Sequence, residues 1–189
     1  PSGNLWVSNY SGAAITEYKA GKTGNVAPIR TIAGAKTLLS EPFGLAMDSQ
    51  GRIWVAMPGA IEAFRPGAHG NVAPVFRIAG SATKLSRPFS IAFDSNGSLF
   101  VADETANSVS SFAAGANGNV APVTRIVGSP LTYPAGIALD STGKIYVADF
   151  TSNAIFVFSH GANGTNVTPE RRIKGSATTF SGPNSIAIH

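Results

Sequence analysis

The fold is decided by the stretch GIALDSTG at positions 136–143, which is followed by IYVA at 145–148. Two runs of β-forming residues flank a short polar segment that contains Asp, Ser and Gly, the composition of a hairpin turn. The same pattern surrounds Asp48 and Asp94, so that these two aspartates and Asp140 follow one another at intervals of 46 residues. A fixed period of this length indicates a repeat protein.

A second marker recurs with the same period. The sequence GNVAP occupies positions 24–28, 70–74 and 118–122, and it returns in looser form as GTNVTP at 164–169. The apolar block after the hairpin turn also has an early copy, LWVS at 5–8. The chain therefore contains four repeats, with approximate boundaries at 3–50, 51–96, 97–142 and 143–189.

Each repeat contains four short runs of β-forming residues separated by turn residues, and no window keeps a helical apolar period. Four strands in about 40 to 50 residues are typical of one blade of a β-propeller. We therefore predict an all-β fold: a single propeller domain over residues 1–189, built from four four-stranded blades.

The two ends of the chain fall at corresponding places in the repeat. The chain begins in the second strand of a blade and ends with a predicted first strand, 185–189, in which His189 takes the place of the turn aspartate. Pairing of this last strand with the opening blade would close the ring and remove exposed sheet edges. The strand could instead pair with another copy, or the four blades could be part of a larger or two-chain ring.

Composition excludes several classes of protein. Hydrophobic residues make up 43% of the chain, charged residues only 13%, and there is no cysteine. Disulfide frameworks, thiolate nucleophiles and Cys-ligated metals are therefore excluded. No apolar run approaches the roughly 20 residues that span a bilayer. Low charge with many Ser, Thr, Asn and Gly residues favours an extracellular or cell-surface location.

Three segments carry a recognisable blade pattern, PAGIALD at 134–140, GKIYVAD at 143–149 and IFVF at 155–158. In these segments the sequence resembles the NHL-repeat propeller family, and the likeness extends along the chain. More distantly, the chain is similar to lactonase-type and streptogramin-lyase-type propellers. The resemblance implies a propeller fold but not one function, since propellers serve as binding modules and as enzymes.

Candidate site residues lie on the face where two sets of loops are expected to meet, those between the fourth and first strands and those between the second and third. The ligand-binding candidates on this face are Asn9, Glu41, Arg87, Asp103, Glu104, Tyr133, Asp149 and Asn184. Asn9, Asp103 and Asp149 occupy equivalent places in three blades and could converge on a hard cation. Met57 occupies that place in the second blade, so we interpret the aspartates as structural and predict no metal, no cofactor and no catalytic residue.

The remaining charged residues do not indicate another activity. The net charge is only +4, and the basic cluster of Arg171, Arg172 and Lys174 lacks interleaved aromatic residues, so a nucleic-acid partner is not expected. His69 and His160 are predicted to lie in turns on the opposite face.

We therefore predict a non-catalytic binding or structural scaffold that recognises a protein, a glycan or its own copies. The alternative is a propeller enzyme, a metal-dependent lactonase-like hydrolase or a lyase, with its site at the central channel.

Overall fold

The computed structural model describes residues 3–188 and contains four β-sheets, numbered here as blades 1 to 4. Blades 2, 3 and 4 each begin with a strand that lies at the end of the preceding sequence repeat. Blade 1 contains β1 (Leu5–Asn9), β2 (Ala14–Tyr18) and β3 (Arg30–Ala33). Blade 2 contains β4 (Leu45–Met47), β5 (Ile53–Met57), β6 (Ala60–Phe64) and β7 (Phe76–Ala79). Blade 3 contains β8 (Pro88–Phe93), β9 (Leu99–Asp103), β10 (Ser108–Phe112) and β11 (Thr124–Val127). Blade 4 contains β12 (Pro134–Leu139), β13 (Ile145–Asp149), β14 (Ala154–Phe158) and β16 (Arg171–Lys174).

Neighbouring strands within each blade are antiparallel, and one short strand links two blades. This strand, β15 (Gly164–Thr165), lies between β14 and β16 in the sequence but pairs in parallel with β11 of blade 3. Three 3-10 turns, Ala35–Thr37, Ser81–Thr83 and Ser176–Thr178, follow the outer strands of blades 1, 2 and 4. Among the described residues, no helix has the length and hydrophobicity needed to cross a membrane.

The predicted hairpin turns form around the repeated aspartates. Asp140 accepts hydrogen bonds from the backbone N–H groups of Thr142 and Lys144 and from the Thr142 hydroxyl. These bonds, led by that of the Thr142 hydroxyl, lower the pKa of Asp140 to about 2. Asp48 and Asp94 accept equivalent backbone bonds. The aspartates therefore fix the turn between the first two strands of a blade.

The hydrophobic core lies between adjacent blades. Ile15 and Ile32 of blade 1 pack in one cluster with Val55 and Phe64 of blade 2. A second cluster joins blades 2 and 3, and a third joins blades 3 and 4. The sheets of blades 2 and 3 are therefore covered on both faces and those of blades 1 and 4 on one face, which explains why apolar residues follow one another without strict alternation in the inner blades.

The predicted ring closure is not confirmed. Within residues 3–188, the sheet of blade 1 has three strands, and 185–188 form no strand with it. This segment instead runs beside the inner strand of blade 4, where a Cβ atom on Gly136 would lie 2.9 Å from the Cα of Ser185. Pro1, Ser2 and His189, which would complete the closing turn, lie outside the described residues. The sequence pattern predicts a strand, but strand formation also requires a neighbouring edge with which to pair.

Candidate binding groove on the loop face

Aromatic side chains from three blades form a row at the inner edge of the loop face. The ring centroids of Tyr10 and Phe43 are 5.4 Å apart, and those of Phe43 and Phe89 are 4.8 Å apart. These rings border an open groove of about 360 Å³ that also contacts Asn184 and Ser185. Tyr10 is 45% exposed, so the groove presents aromatic surface to solvent.

A polar cluster adjoins this row. The Tyr133 hydroxyl donates a 2.8 Å hydrogen bond to Oε2 of Glu104, and Nε of Arg87 lies 3.6 Å from the same oxygen. Arg87 also lies over the Phe43 ring, with its Cζ 4.9 Å from the ring centroid. Arg87 therefore connects the aromatic row to the carboxylate of Glu104.

Burial controls the protonation of this cluster. Because Glu104 is buried, its pKa is raised, although the bonds from Tyr133 and the charge of Arg87 act in the opposite direction. The pKa of Tyr133 is also raised, chiefly because its hydroxyl donates to Glu104. Tyr133 therefore remains a hydrogen-bond donor, and it contacts Phe150 at a centroid distance of 5.6 Å.

Asp103 and Asp149 lie beneath the loops and are fully buried. Asp103 accepts hydrogen bonds from the backbone N–H groups of Ser86 and Arg87 at 2.7 and 2.9 Å. Asp149 accepts equivalent bonds from Thr132 and Tyr133 at 2.8 and 2.9 Å. These two aspartates therefore hold the loop from the preceding blade in place.

The pKa of Asp149 is consistent with this structural role. Burial alone would raise the pKa, but the hydrogen bonds from Thr132, Tyr133 and Ser152 outweigh burial and lower it. The carboxylate therefore stays ionised and remains an acceptor for the loop N–H groups.

Asn9, the third member of the equivalent set, bonds within its own blade. Its Nδ2 donates to Oγ1 of Thr16 at 3.0 Å. Across residues 3–188, no group of three or more His, Cys, Asp or Glu side chains is arranged to hold a metal ion. Asn9, Asp103 and Asp149 thus have separate partners.

The structure brings some of the predicted site residues together and separates others. Arg87, Glu104 and Tyr133 form one cluster, and Asn184 lines the adjoining groove. Glu41 is exposed and has a positive φ of 49°. His69 and His160 lie away from the groove, where His69 accepts a bond from the Thr31 N–H and His160 packs against Gly143.

The aromatic row itself was missed by sequence reasoning. Phe43 and Phe89 both follow the proline at the start of a blade, and Ala135 and Asn184 take the same place in the later repeats. All four of these positions line the groove. Comparing the residue after this proline across the repeats would have identified the row.

The four stacked antiparallel sheets, with loops meeting over a shared inner edge, define the chain as a β-propeller protein. Residues 131–158, which include the first three strands of blade 4, match the family model for the NHL repeat. A search of the curated proteins gives no significant match.

Solved structures, propellers among them, resemble more than nine-tenths of the chain in fold. A catalytically inactive virginiamycin B lyase from Staphylococcus aureus, solved with quinupristin, is 15% identical, with a TM-score of 0.67 over 97% of this chain and 56% of the lyase. The WD40 propeller domain of Doa1 is 11% identical, with a TM-score of 0.66 over 93% of this chain and 52% of that chain. A Bacteroides caccae protein of unknown function is 16% identical, with a TM-score of 0.62 over 91% of this chain and 62% of that one. The chain thus spans a little more than half the length of these structures.

Proposed function

We propose that this propeller is a non-catalytic binding module that holds an extended protein segment in the groove on its loop face. The observation that carries the proposal is the row of Tyr10, Phe43 and Phe89, which presents aromatic surface from three blades in one groove. The groove volume of about 360 Å³ is within the usual range of ligand sites. Partly exposed Tyr and Phe side chains provide contact area with little conformational entropy to lose.

The chemistry beside the groove supports a peptide ligand. Arg87 lies over the Phe43 ring, which lines the groove, and its guanidinium N–H groups can donate hydrogen bonds to the carbonyl groups of an extended backbone. The Tyr133 hydroxyl donates its hydrogen to Glu104, so that its oxygen can accept a bond from a backbone N–H of the ligand. Because Arg87 is held by Glu104 and by the Phe43 ring, its side chain is already ordered before a ligand binds. Preorganisation of this kind reduces the entropy lost on binding.

Selection from a displayed library of random peptides tests the proposal. We expect the purified chain to enrich peptides with apolar or aromatic anchors, and Tyr10→Ala to weaken their binding about tenfold, as loss of an aromatic contact commonly does. Val123→Ala is a matched control, since Val123 is an exposed apolar residue that does not line the groove. If no peptide is enriched, or if both substitutions weaken binding equally, the proposal fails. Binding to a glycan array in place of peptides would assign the groove to sugars.

The second candidate function is a lyase, favoured by the fold similarity to virginiamycin B lyase over 97% of this chain. Incubation of the chain with quinupristin, followed by chromatography, tests this alternative. We expect quinupristin to be recovered unchanged, and its conversion by the wild-type chain would establish the enzyme.

A further inference from the structure

The GNVAP marker forms a repeated joint between blades. At the seam between blades 2 and 3, the Gly118 N–H donates to the Arg77 carbonyl at 2.8 Å, and the Ala79 N–H donates to the Gly118 carbonyl at 3.2 Å. The Asn119 side chain then accepts a 2.8 Å bond from the Ala82 N–H. We call the Gly-Asn pair, here Gly118 and Asn119, the latch, and the segment Gly80–Thr83 that receives it the socket.

The same joint connects blades 1 and 2. The latch there is Gly70 and Asn71, and Asn71 accepts a 2.7 Å bond from the Lys36 N–H in the socket 34–37. Each socket begins with a glycine because the asparagine leaves no room for a side chain. A Cβ atom on Gly80 would lie 2.5 Å from Oδ1 of Asn119, and one on Gly34 would lie 2.6 Å from Oδ1 of Asn71.

A latch and a socket also occur at opposite ends of the molecule. The latch of blade 1, Gly24 and Asn25, begins the same GNVAP sequence as the latch of blade 3. The socket of blade 4, Gly175-Ser176-Ala177-Thr178, is identical in sequence to Gly80–Thr83. The pair of sequences that forms the joint between blades 2 and 3 is therefore present once more, divided between the two end blades.

Both end elements already have the conformation of the interior joint. The φ angle of Gly175 is 128°, against 116° for Gly80, and that of Gly24 is 79°, against 82° for Gly118. The Thr178 hydroxyl donates to the Gly175 carbonyl at 2.7 Å, as the Thr83 hydroxyl does to the Gly80 carbonyl. The socket of blade 4 is therefore formed without its latch.

No described residue fills the socket of blade 4. A Cβ atom on Gly175 would have no neighbour within 4 Å, in contrast to Gly34 and Gly80. Within 3–188, Gly24 is in no strand pairing, whereas Gly70 and Gly118 each form a parallel bridge with the preceding blade. The chain's own latch therefore does not occupy its own socket.

The sheet faces beside these elements are open as well. Ile173 in the outer strand of blade 4 is 49% exposed, whereas the equivalent Ile78 in blade 2 is fully buried by blade 3. At the other end of the molecule, Leu5 on the uncovered face of blade 1 is 61% exposed, whereas the equivalent Ile53 of blade 2 is 4% exposed. Apolar surface therefore surrounds both the free latch and the free socket, as it does at the interior seams.

We propose that a second copy of this chain docks head to tail, with Gly24 and Asn25 of one copy in the socket Gly175–Thr178 of the other. The contact would repeat the seam between blades 2 and 3 and bury Leu5 and Ile173. This chain covers 56% of the length of the lyase, so that two copies together exceed the length of one such propeller. The contact is heterologous, and such contacts give rings when the rotation closes. This inference does not depend on the ligand proposed for the groove.

Complementation between two blocked variants tests the contact. Asn25→Ala removes the latch and leaves the socket. Gly175→Val leaves the latch and disrupts the socket, because it adds a side chain there and because the φ of 128° at this position favours glycine. We expect the wild-type 19.4 kDa chain to self-associate as its concentration rises, and each variant alone to associate at least about tenfold more weakly. An equimolar mixture of the two variants should form a heterodimer, because one copy supplies the socket and the other the latch. Sedimentation equilibrium measures the association of the wild type, of each variant and of the mixture.

Two further variants distinguish a blocked contact from a variant that fails to fold. Ile173→Asp places a charge on an exposed side chain beside the socket, and it should block association in the same way as Gly175→Val. Asn96→Ala, in an exposed hairpin turn away from both elements, should associate like the wild type. A wild-type chain that is monomeric at every concentration would overturn the proposal. So would a lower melting temperature of monomeric Asn25→Ala, because the latch would then occupy the socket of its own chain.

Discussion

Blades 2 and 4 are built from similar sequences but are buried to different extents. All four residues of β16 are exposed, whereas the outer strand of blade 2 buries Ile78 against blade 3. Trp54 in β5 is buried, and its ring contacts Phe76 in β7 of the same blade and Phe93 in β8 of blade 3. Tyr146 at the equivalent place in β13 is only partly buried. The same repeat is thus a core element in one place and a surface in another.

This difference shows where the stability of a blade comes from. A repeat in a propeller buries its apolar face only against the next repeat, so that its stability is the sum of its own contacts and those of its interfaces. Substitutions at equivalent positions should therefore have large effects at an interior seam and small effects at an end face. Three comparisons test this expectation.

The largest effect is expected from Gly44, at the inner seam between blades 2 and 3. A Cβ atom there would lie 2.6 Å from the Phe89 carbonyl oxygen and 2.9 Å from the Ser90 Cα, and backbone atoms in paired strands cannot move aside independently. We expect Gly44→Ala to lower the free energy of unfolding by about 4 kcal/mol, as severe overpacking does. Denaturant unfolding followed by tryptophan fluorescence measures this loss.

Gly136 is the matched position at the end of the molecule. A Cβ atom there would approach Ser185, which lies in a segment outside any strand, so that the segment can shift. We expect Gly136→Ala to cost about 1 kcal/mol. Gly12→Ala is a further control, because its Cβ would meet only ordinary contact distances. Equal losses for Gly44→Ala and Gly136→Ala would mean that 185–188 are held as firmly as an interior strand.

The second comparison concerns a carboxyl group buried at the seam between blades 1 and 2. Glu62 has no exposed surface, and it lies on the face of β6 that packs against blade 1. Burial raises its pKa to about 7, and the 2.9 Å ion pair with half-exposed Arg77 offsets only part of that effect. The equivalent residue of blade 1 is Thr16, which carries no charge.

The raised pKa predicts that stability falls as the pH rises. Below about pH 4.5 Glu62 is protonated in both the folded and the unfolded chain, and between pH 4.5 and 7 the unfolded chain ionises first. The contribution of Glu62 is therefore lost as the pH rises through 7, and its size is on the order of 3 kcal/mol.

Glu62→Gln isolates this contribution. We expect the difference in unfolding free energy between Glu62→Gln and the wild type to shift in favour of the variant by about 2 to 3 kcal/mol between pH 4 and pH 8. Glu17→Gln is the control, because Glu17 is also buried and paired with an arginine. If the difference between Glu62→Gln and the wild type does not change with pH, Glu62 titrates normally at this seam.

The blades could be predicted from sequence because their determinants are local. The turn at Asp140 is fixed by bonds to residues two and four positions further along, so that the spacing of Asp and Gly alone identifies it. The strand predicted at 185–188 does not form in the structure. Its residues match those of β12, but the edge with which it would pair is not a local property of the sequence.

The site could be predicted only in part, for a related reason. Arg87, Glu104 and Tyr133 were identified from their position in the repeat, and they do meet on the loop face. Asp103 was identified by the same argument, yet its carboxylate accepts backbone N–H groups from a loop 16 and 17 residues earlier. The sequence places a polar side chain on a loop but does not show whether its hydrogen bonds are already formed within the protein.

The smallest effect is expected from comparing two copies of the latch asparagine. Asn119→Ala removes the acceptor of the Ala82 N–H at the interior seam, and we expect a loss of about 1 to 2 kcal/mol in unfolding free energy. Asn25→Ala, measured at protein concentrations low enough to keep the chain monomeric, should change stability by no more than about 0.5 kcal/mol. Both asparagines occupy the same place in an identical GNVAP sequence, so that any difference between the two variants comes from the preceding blade alone. Equal losses at low concentration would show that the motif stabilises its own blade, and the role of the latch in joining blades would then have to be abandoned.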